Sequence, residues 1–241
     1  KFLEETRRRE GFGCILTAHH ADDSAETMLL NLLRGTGLKG LTGIPEKRDC
    51  ILRPLLGATR AELAAYAAEH RIPFVEDSTN GTDDAARNVL RHQVLPVLKK
   101  LNPRVVENMS RTASLLTADE AALDAACRKL LAQCAVTPNV SGMIPLAVLQ
   151  DAPEALRGRL VLAVLAAVAG HEKDLTAAHI RAVLTLDRGQ LSMPYGVTVL
   201  REPAALRFFK AASAPAVQAI TVGETVTFGQ WQVSLAESAG E

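Results

Sequence analysis

The sequence has few aromatic side chains (4%), no excess charge of either sign, no paired cysteines and no apolar run long enough to cross a membrane. Each shortage excludes something. Lys+Arg and Asp+Glu both number 27, so the chain exerts no general pull on nucleic acid, and a polyanion must be met by a local patch. Cys14, Cys50, Cys127 and Cys134 are widely spaced and form no C-x-x-C pair. That excludes a zinc knuckle and a disulfide framework, and it reads as reduced, mostly buried thiols of a cytosolic protein. The longest strongly apolar run, LVLAVLAAVAG at 160–170, follows Arg157 and Arg159 and falls short of the roughly 20 residues of a membrane span. It predicts a buried helix and no membrane partner. No signal peptide is visible. Lys1 falls inside a helical pattern, so the expectation is a chain without its natural start.

What is present is ordinary globular material: 241 residues, 48% hydrophobic, enough for one large or two smaller domains. Up to about residue 80 strand and helix alternate. CILTA (14–18) reads as a strand, CILRPLL (50–56) as another strand or extended segment, and SAETMLLNLLRGTG as a helix with Gly35 and Gly37 as stops. Residues 59–71 read as a helix capped by Thr59 and Glu62, with an extended IPFVED (72–77) after it. This predicts an α/β fold with a small, partial parallel sheet. After the polar cluster DSTNGTDD (77–84), residues 84–135 are nearly all helical in pattern, interrupted at 102–104. A turn-rich loop (137–153), helices near 154–169 and 176–186, and short strands within 189–210 follow. The expected domains are 1–83 (α/β), 84–211 (mainly α-helical with a small β element) and 212–241, a linker and the start of a further domain.

AHHADDSAET (18–27) is overpopulated with polar groups. Its place between a strand and a helix permits two readings that spacing alone leaves open. Asp23 and Glu26 have capping-box spacing. The carboxyl end of a parallel strand is also where ligands bind in open α/β sheets, so His20, Asp22, Asp23 and Glu26 could line an active site. A zinc site is disfavoured, because adjacent histidines do not easily turn both rings to one ion. The glycine-rich RGTGLKGLTGIP (34–45) is a lid or loop punctuation, and it matches no phosphate-binding loop. A basic stripe runs through Arg87, Arg91, Lys99, Lys100 and Arg104. It suits phosphate-backbone contact or is a solvated helix face.

Three blocks, 18–41, 51–80 and 86–103, together resemble the tRNA(Ile)-lysidine synthetase family of PP-loop ATP-pyrophosphatases. The resemblance implies a partial PP-loop ATPase domain and an ATP- and Mg²⁺-dependent ligation of free lysine to C2 of the wobble cytidine in a CAU-anticodon isoleucine tRNA. The reaction passes through an adenylated intermediate. It implies a cytoplasmic homodimer, catalytic duty for His20, Asp22, Asp23 and Glu26, and tRNA contact by Arg87, Asn88 and Arg91 of ARNVLR, with Lys99, Lys100 and Arg104 from the stripe. The family's Ser-Gly-Gly-x-Asp-Ser loop is not in the sequence. The expectation is therefore a truncated, inactive chain. Two alternatives stand beside this: a 2-thiocytidine-type PP-loop enzyme, disfavoured because C-x-x-C is missing, and a non-catalytic RNA-binding fragment.

Overall fold

The computed structural model describes residues 2–73, 85–210, 225–228 and 231–234. The chain divides into two compact units, Lys1–Asp124 and Ala125–Glu241. The expected polar cluster at 77–84, the end of the extended 72–77 segment and the linker at 212–219 lie outside the described residues.

In the first unit, α1 (Phe2–Arg9) precedes β1 (Ile15–Leu16), α2 (Ala21–Leu33) and α3 (Leu38–Leu41). β2 (Lys47–Arg48), β3 (Ile51–Leu52) and α4 (Arg60–Glu69) come next. The sheet order is β1-β3-β2. β1 and β3 are parallel, with Ile15 opposite Ile51 and Leu16 opposite Leu52, and β2 returns antiparallel to β3. The expected alternation of strand and helix is present, with strands of two residues each. α4 starts where its capping box places it: Thr59 Oγ1 accepts from the Glu62 amide at 3.2 Å and the Glu62 carboxylate takes the Thr59 amide at 2.7 Å.

Helical residues continue through α5 (Ala85–Val89), a π turn (Leu90–Val94), α6 (Leu95–Leu101) and α7 (Val105–Leu131). The π turn has an identifiable cause. Pro96 has no amide to give the ladder and its ring crowds the carbonyl four residues back, and the turn before it widens so that the Leu95 amide reaches Leu90 O.

The second unit is a helix laid on a sheet. Its strands are β4 (Ala135–Thr137), β5 (Ser141–Pro145), β6 (Gly189–Ser192), β7 (Val197–Arg201) and β8 (Ala205–Lys210), in antiparallel order β4-β5-β8-β7-β6. α8 (Leu146–Asp151), α9 (Glu154–Ala169) and α10 (Ala177–Leu184) complete it, and β9 (Thr225–Phe228) pairs with β10 (Trp231–Ser234) as a separate hairpin. The apolar run forms α9, and Leu160, Val161, Val164, Leu165 and Val168 have no exposed surface. They pack with Ile144, Val199 and Phe208 of the sheet, equally enclosed.

The expected loop at 137–153 is instead β5 and α8. Gly142 and Pro145 read as turn residues, yet β5 pairs on both sides, with β4 and β8. Gly142 is there for closeness: a Cβ would lie 2.5 Å from Val164 Cγ1 of α9. The β element of this unit is thus a five-stranded sheet. The four thiols are free, and Cys127 alone among them is buried. No helix among the described residues is long and apolar enough to cross a membrane.

Candidate active site

The carboxyl end of β1 delivers His19 and His20 to the start of α2. The helix begins at Ala21, three residues ahead of the SAETMLLNLLRGTG pattern, and its cap is His20, not Asp23. His20 Nδ1 accepts from the Asp23 amide at 3.4 Å, and Asp23 Oδ2 takes the His20 amide at 3.0 Å. An imidazole nitrogen can stand in for a hydroxyl here because it is an acceptor at the right reach. His19 turns aside to Thr17, with Nδ1 2.9 Å from Oγ1. Capping therefore explains His20 and Asp23. It does not explain Asp22 or Glu26, which are 5% and 1% exposed.

Those two carboxylates are held by the basic stripe. Arg91 grips Glu26 bidentately, Nε to Oε1 at 2.7 Å and Nη2 to Oε2 at 2.9 Å, and Arg87 Nε adds a bond to Oε2 at 2.9 Å. Arg91 Nη2 also reaches Asp23 Oδ1 at 3.3 Å. Asp22 Oδ1 takes Lys99 Nζ at 2.7 Å and its Oδ2 takes the Arg60 amide at 2.8 Å. The cluster balances three carboxylates with three cations, so burying it leaves no uncompensated charge. Burial pushes the Asp22 carboxyl upward, but the Arg60 amide and the Lys99 ammonium outweigh it and hold the carboxyl below the ordinary aspartate value. The bond to Glu26 outweighs burial at Arg91 and strengthens its hold on its proton.

The residues expected at the site thus fall into two groups. His20, Asp22, Asp23, Glu26, Arg87, Arg91 and Lys99 converge. Asn88 is half-buried, and Lys100 and Arg104 are exposed with no ion-pair partner among the described residues. The stripe read as one surface is therefore split between a carboxylate-facing side and a solvent-facing side.

Sequence reasoning missed the supporting contacts. Ser24, buried in the first turn of α2, accepts the Ile44 amide at 3.1 Å, and Asn31 Nδ2 donates to Gly40 O at 2.8 Å. Two side chains of α2 thereby pin the glycine-rich loop. Gly43 has φ +70°, and a Cβ there would fall 2.3 Å from Ser24 Oγ. Ser24 and Asn31, a polar pair at i and i+7 on one helix, were the available signal.

The fit to a divalent cation can be tested on the carboxylates themselves. Every oxygen of Asp22, Asp23 and Glu26 already accepts a protein N–H, and cations occupy the space a metal would need. Among the described residues no group of His, Cys, Asp and Glu is arranged to hold a metal ion. The residues as arranged do not fit Mg²⁺. At the start of α2 the amides of Ala21, Asp23 and Ser24 are already bonded, to Ala58 O, His20 Nδ1 and His20 O.

Residues 1–98 match the family model of the PP-loop domain. Similar proteins include a tRNA(Ile)-lysidine synthase of Geobacillus kaustophilus, 30% identical over 83% of this chain and 46% of its own length. One from Caldanaerobacter subterraneus is 32% identical over 83% of this chain and 44% of its own. One from Porphyromonas gingivalis is 47% identical over 46% of this chain and 25% of its own. The chain spans less than half the length of these curated relatives.

Proposed function

We propose that the chain is part of a tRNA(Ile)-lysidine synthase, and that its first unit serves the ATP-dependent ligation of lysine to C2 of the wobble cytidine in a CAU-anticodon isoleucine tRNA. The observation that carries the reading is the convergence of the acidic helix start with ARNVLR. Two stretches some 60 residues apart meet at the carboxyl end of a parallel strand, where α/β sheets bind their ligands. The relatives' shared name supports the substrate.

In the proposed reaction the cytidine C2 oxygen attacks the α-phosphate of ATP and pyrophosphate leaves. An amine of free lysine then displaces AMP from C2, and the proton it loses passes to a base. Such chemistry asks a protein chiefly to orient reactants and to present fixed charge where charge develops. Glu26 holds Arg87 and Arg91 in place, and His20 and Asp23 fix the start of α2. Asn88, Lys100 and Arg104 are assigned to the RNA backbone. The sequence contains no Ser-Gly-Gly-x-Asp-Ser segment to cradle phosphates, so these 241 residues by themselves are expected to form no adenylate.

The test is incorporation of radiolabelled lysine into a CAU-anticodon isoleucine tRNA by the protein at its full natural length, with ATP. Lysidine in the digested tRNA is the expected result. Sulfur transfer in place of lysine would move the protein to the 2-thiocytidine enzymes. Salt-dependent tRNA binding without any modification would leave only an RNA-binding role.

A further inference from the structure

We propose that the second unit carries a binding site for a small amphipathic carboxylate, an acyl chain ending in one acid group. The site is the cleft where α8, α10 and the facing ends of β7 and β8 come together. It encloses about 320 Å³, at the small end of ligand-sized cavities. Its floor is apolar: Leu146 and Leu149 of α8 are each 8% exposed, and Val183 of α10 and Leu206 of β8 each 1%. Leu184 stands at the lip, partly in solvent.

Arg201 is what gives this cleft a ligand. Alternate residues of β7 point inward, and the series runs Val197, Val199, Arg201, with both valines enclosed. The third inward position faces the enclosed Leu206 across the ladder and calls for another apolar side chain. It holds a guanidinium, half-buried and with no hydrogen bond or carboxylate partner among the described residues. A cation set among leucines is costly without a counter-charge. Glu202 does not supply one, because it pairs with Arg207 at 2.9 Å. Gly189, the neighbour of Arg201 on β6, has no side chain to cover it, and a Cβ there would meet nothing within 4 Å. A second guanidinium lines the same cleft. Arg157 is fixed on the carbonyls at the end of α8, Nε to Ala152 O at 2.9 Å and Nη2 to Gln150 O at 2.8 Å, and it too has no carboxylate partner among the described residues. Glu154 is the one acid among the described lining residues, so the rim carries a single net positive charge. That balance suits a monoanion such as a carboxylate better than a phosphate dianion. The leucine floor takes the acyl chain.

The experiment is calorimetric titration of octanoate, hexanoate and octylamine into the protein at its full natural length. Wild type is compared with Arg201→Gln, Arg201→Lys and Leu184→Asn, with folding checked by circular dichroism. Octanoate is expected to bind saturably at one site per chain, and octylamine not to bind. Hexanoate should bind about tenfold more weakly, the scale of two methylenes withdrawn from the cleft. Arg201→Gln should weaken octanoate about tenfold or more, the scale of one hydrogen bond to a charged group, and Arg201→Lys should recover part of that loss. Leu184→Asn should weaken octanoate more than hexanoate, and it keeps the test usable if the Arg201 variants do not fold. Absent octanoate binding, equal binding of octylamine, or no dependence on acyl length overturns the proposal. So does a folded Arg201→Gln variant that binds octanoate as wild type does, the result expected of an arginine whose stem packs on leucine while its head faces water.

Discussion

The two units bury opposite kinds of matter. In Ala125–Glu241 the deepest side chains are apolar. Among the described residues, every side chain with no exposed surface, from Ile144 through the α9 series to Val199 and Phe208, lies there. In Lys1–Asp124 the deepest are Ala25, Val106 and a glutamate, Glu26, at 1%. One unit is held by area removed from water. The other spends its centre on an ion cluster, which contributes little net stability next to apolar packing of the same volume. What the cluster supplies is fixed position: α2, the ARNVLR helix and the start of α4 are registered to one another by directional bonds.

The contrast is sharpest at the centre of each unit. Phe208→Ala should cost the second unit about 3–5 kcal/mol, because a fully enclosed ring leaves a cavity. A two-probe denaturant titration should show that unit melting first. Glu26→Gln should cost the first unit less, about 2–3 kcal/mol, since the side chains of Arg87 and Arg91 are 34% and 25% exposed and can turn to water. If Glu26→Gln proved as damaging as Phe208→Ala, the ion cluster would be a stabilising core in its own right.

The helix starts with local signals were legible. Thr59–x–x–Glu62 announced α4, and Thr176 announced α10, which it caps through the His179 amide. The place of the acidic cluster at a strand end was legible too. The rest was not, because it depends on partners distant in sequence. No local pattern says that Glu26 will take Arg87 and Arg91 rather than solvent, or that the basic stripe will divide. β5 was hidden because its Gly142 and Pro145 carry turn signals, and only the approach of α9 shows what the glycine is for. The π turn was foreshadowed by Pro96 within a helical pattern, but its effect is geometric.

Two smaller effects refine the comparison. Gly43→Ala should cost about 1–2 kcal/mol in the first unit alone, from a left-handed φ and the Ser24 contact, and Ser24→Ala in the same chain should recover part of it. Thermal melting of the single and double variants measures this. The smallest effect is one of pH. The folded Asp22 carboxyl lies below its unfolded value, so its contribution is fully present above roughly pH 4 and is lost as pH falls through the folded value. Acid titration of Asp22→Asn should show a shallower loss of the first unit below about pH 4, with the second unit unaffected.

The π turn at Leu90–Val94 acts as a phase shift. Each residue rotates an α-helix by about 100°, so eight regular steps would put Lys99 about 80° round from Arg91. One step absorbed by the wider turn brings the two within about 20°, both facing the acidic start of α2. Chain length between Arg91 and Lys99 is therefore as much a determinant of the site as any side chain in it. Restoring a regular α-helix at the same chain length, by replacing Pro96, would leave every charged group present while rotating the ammonium out of alignment with the guanidiniums.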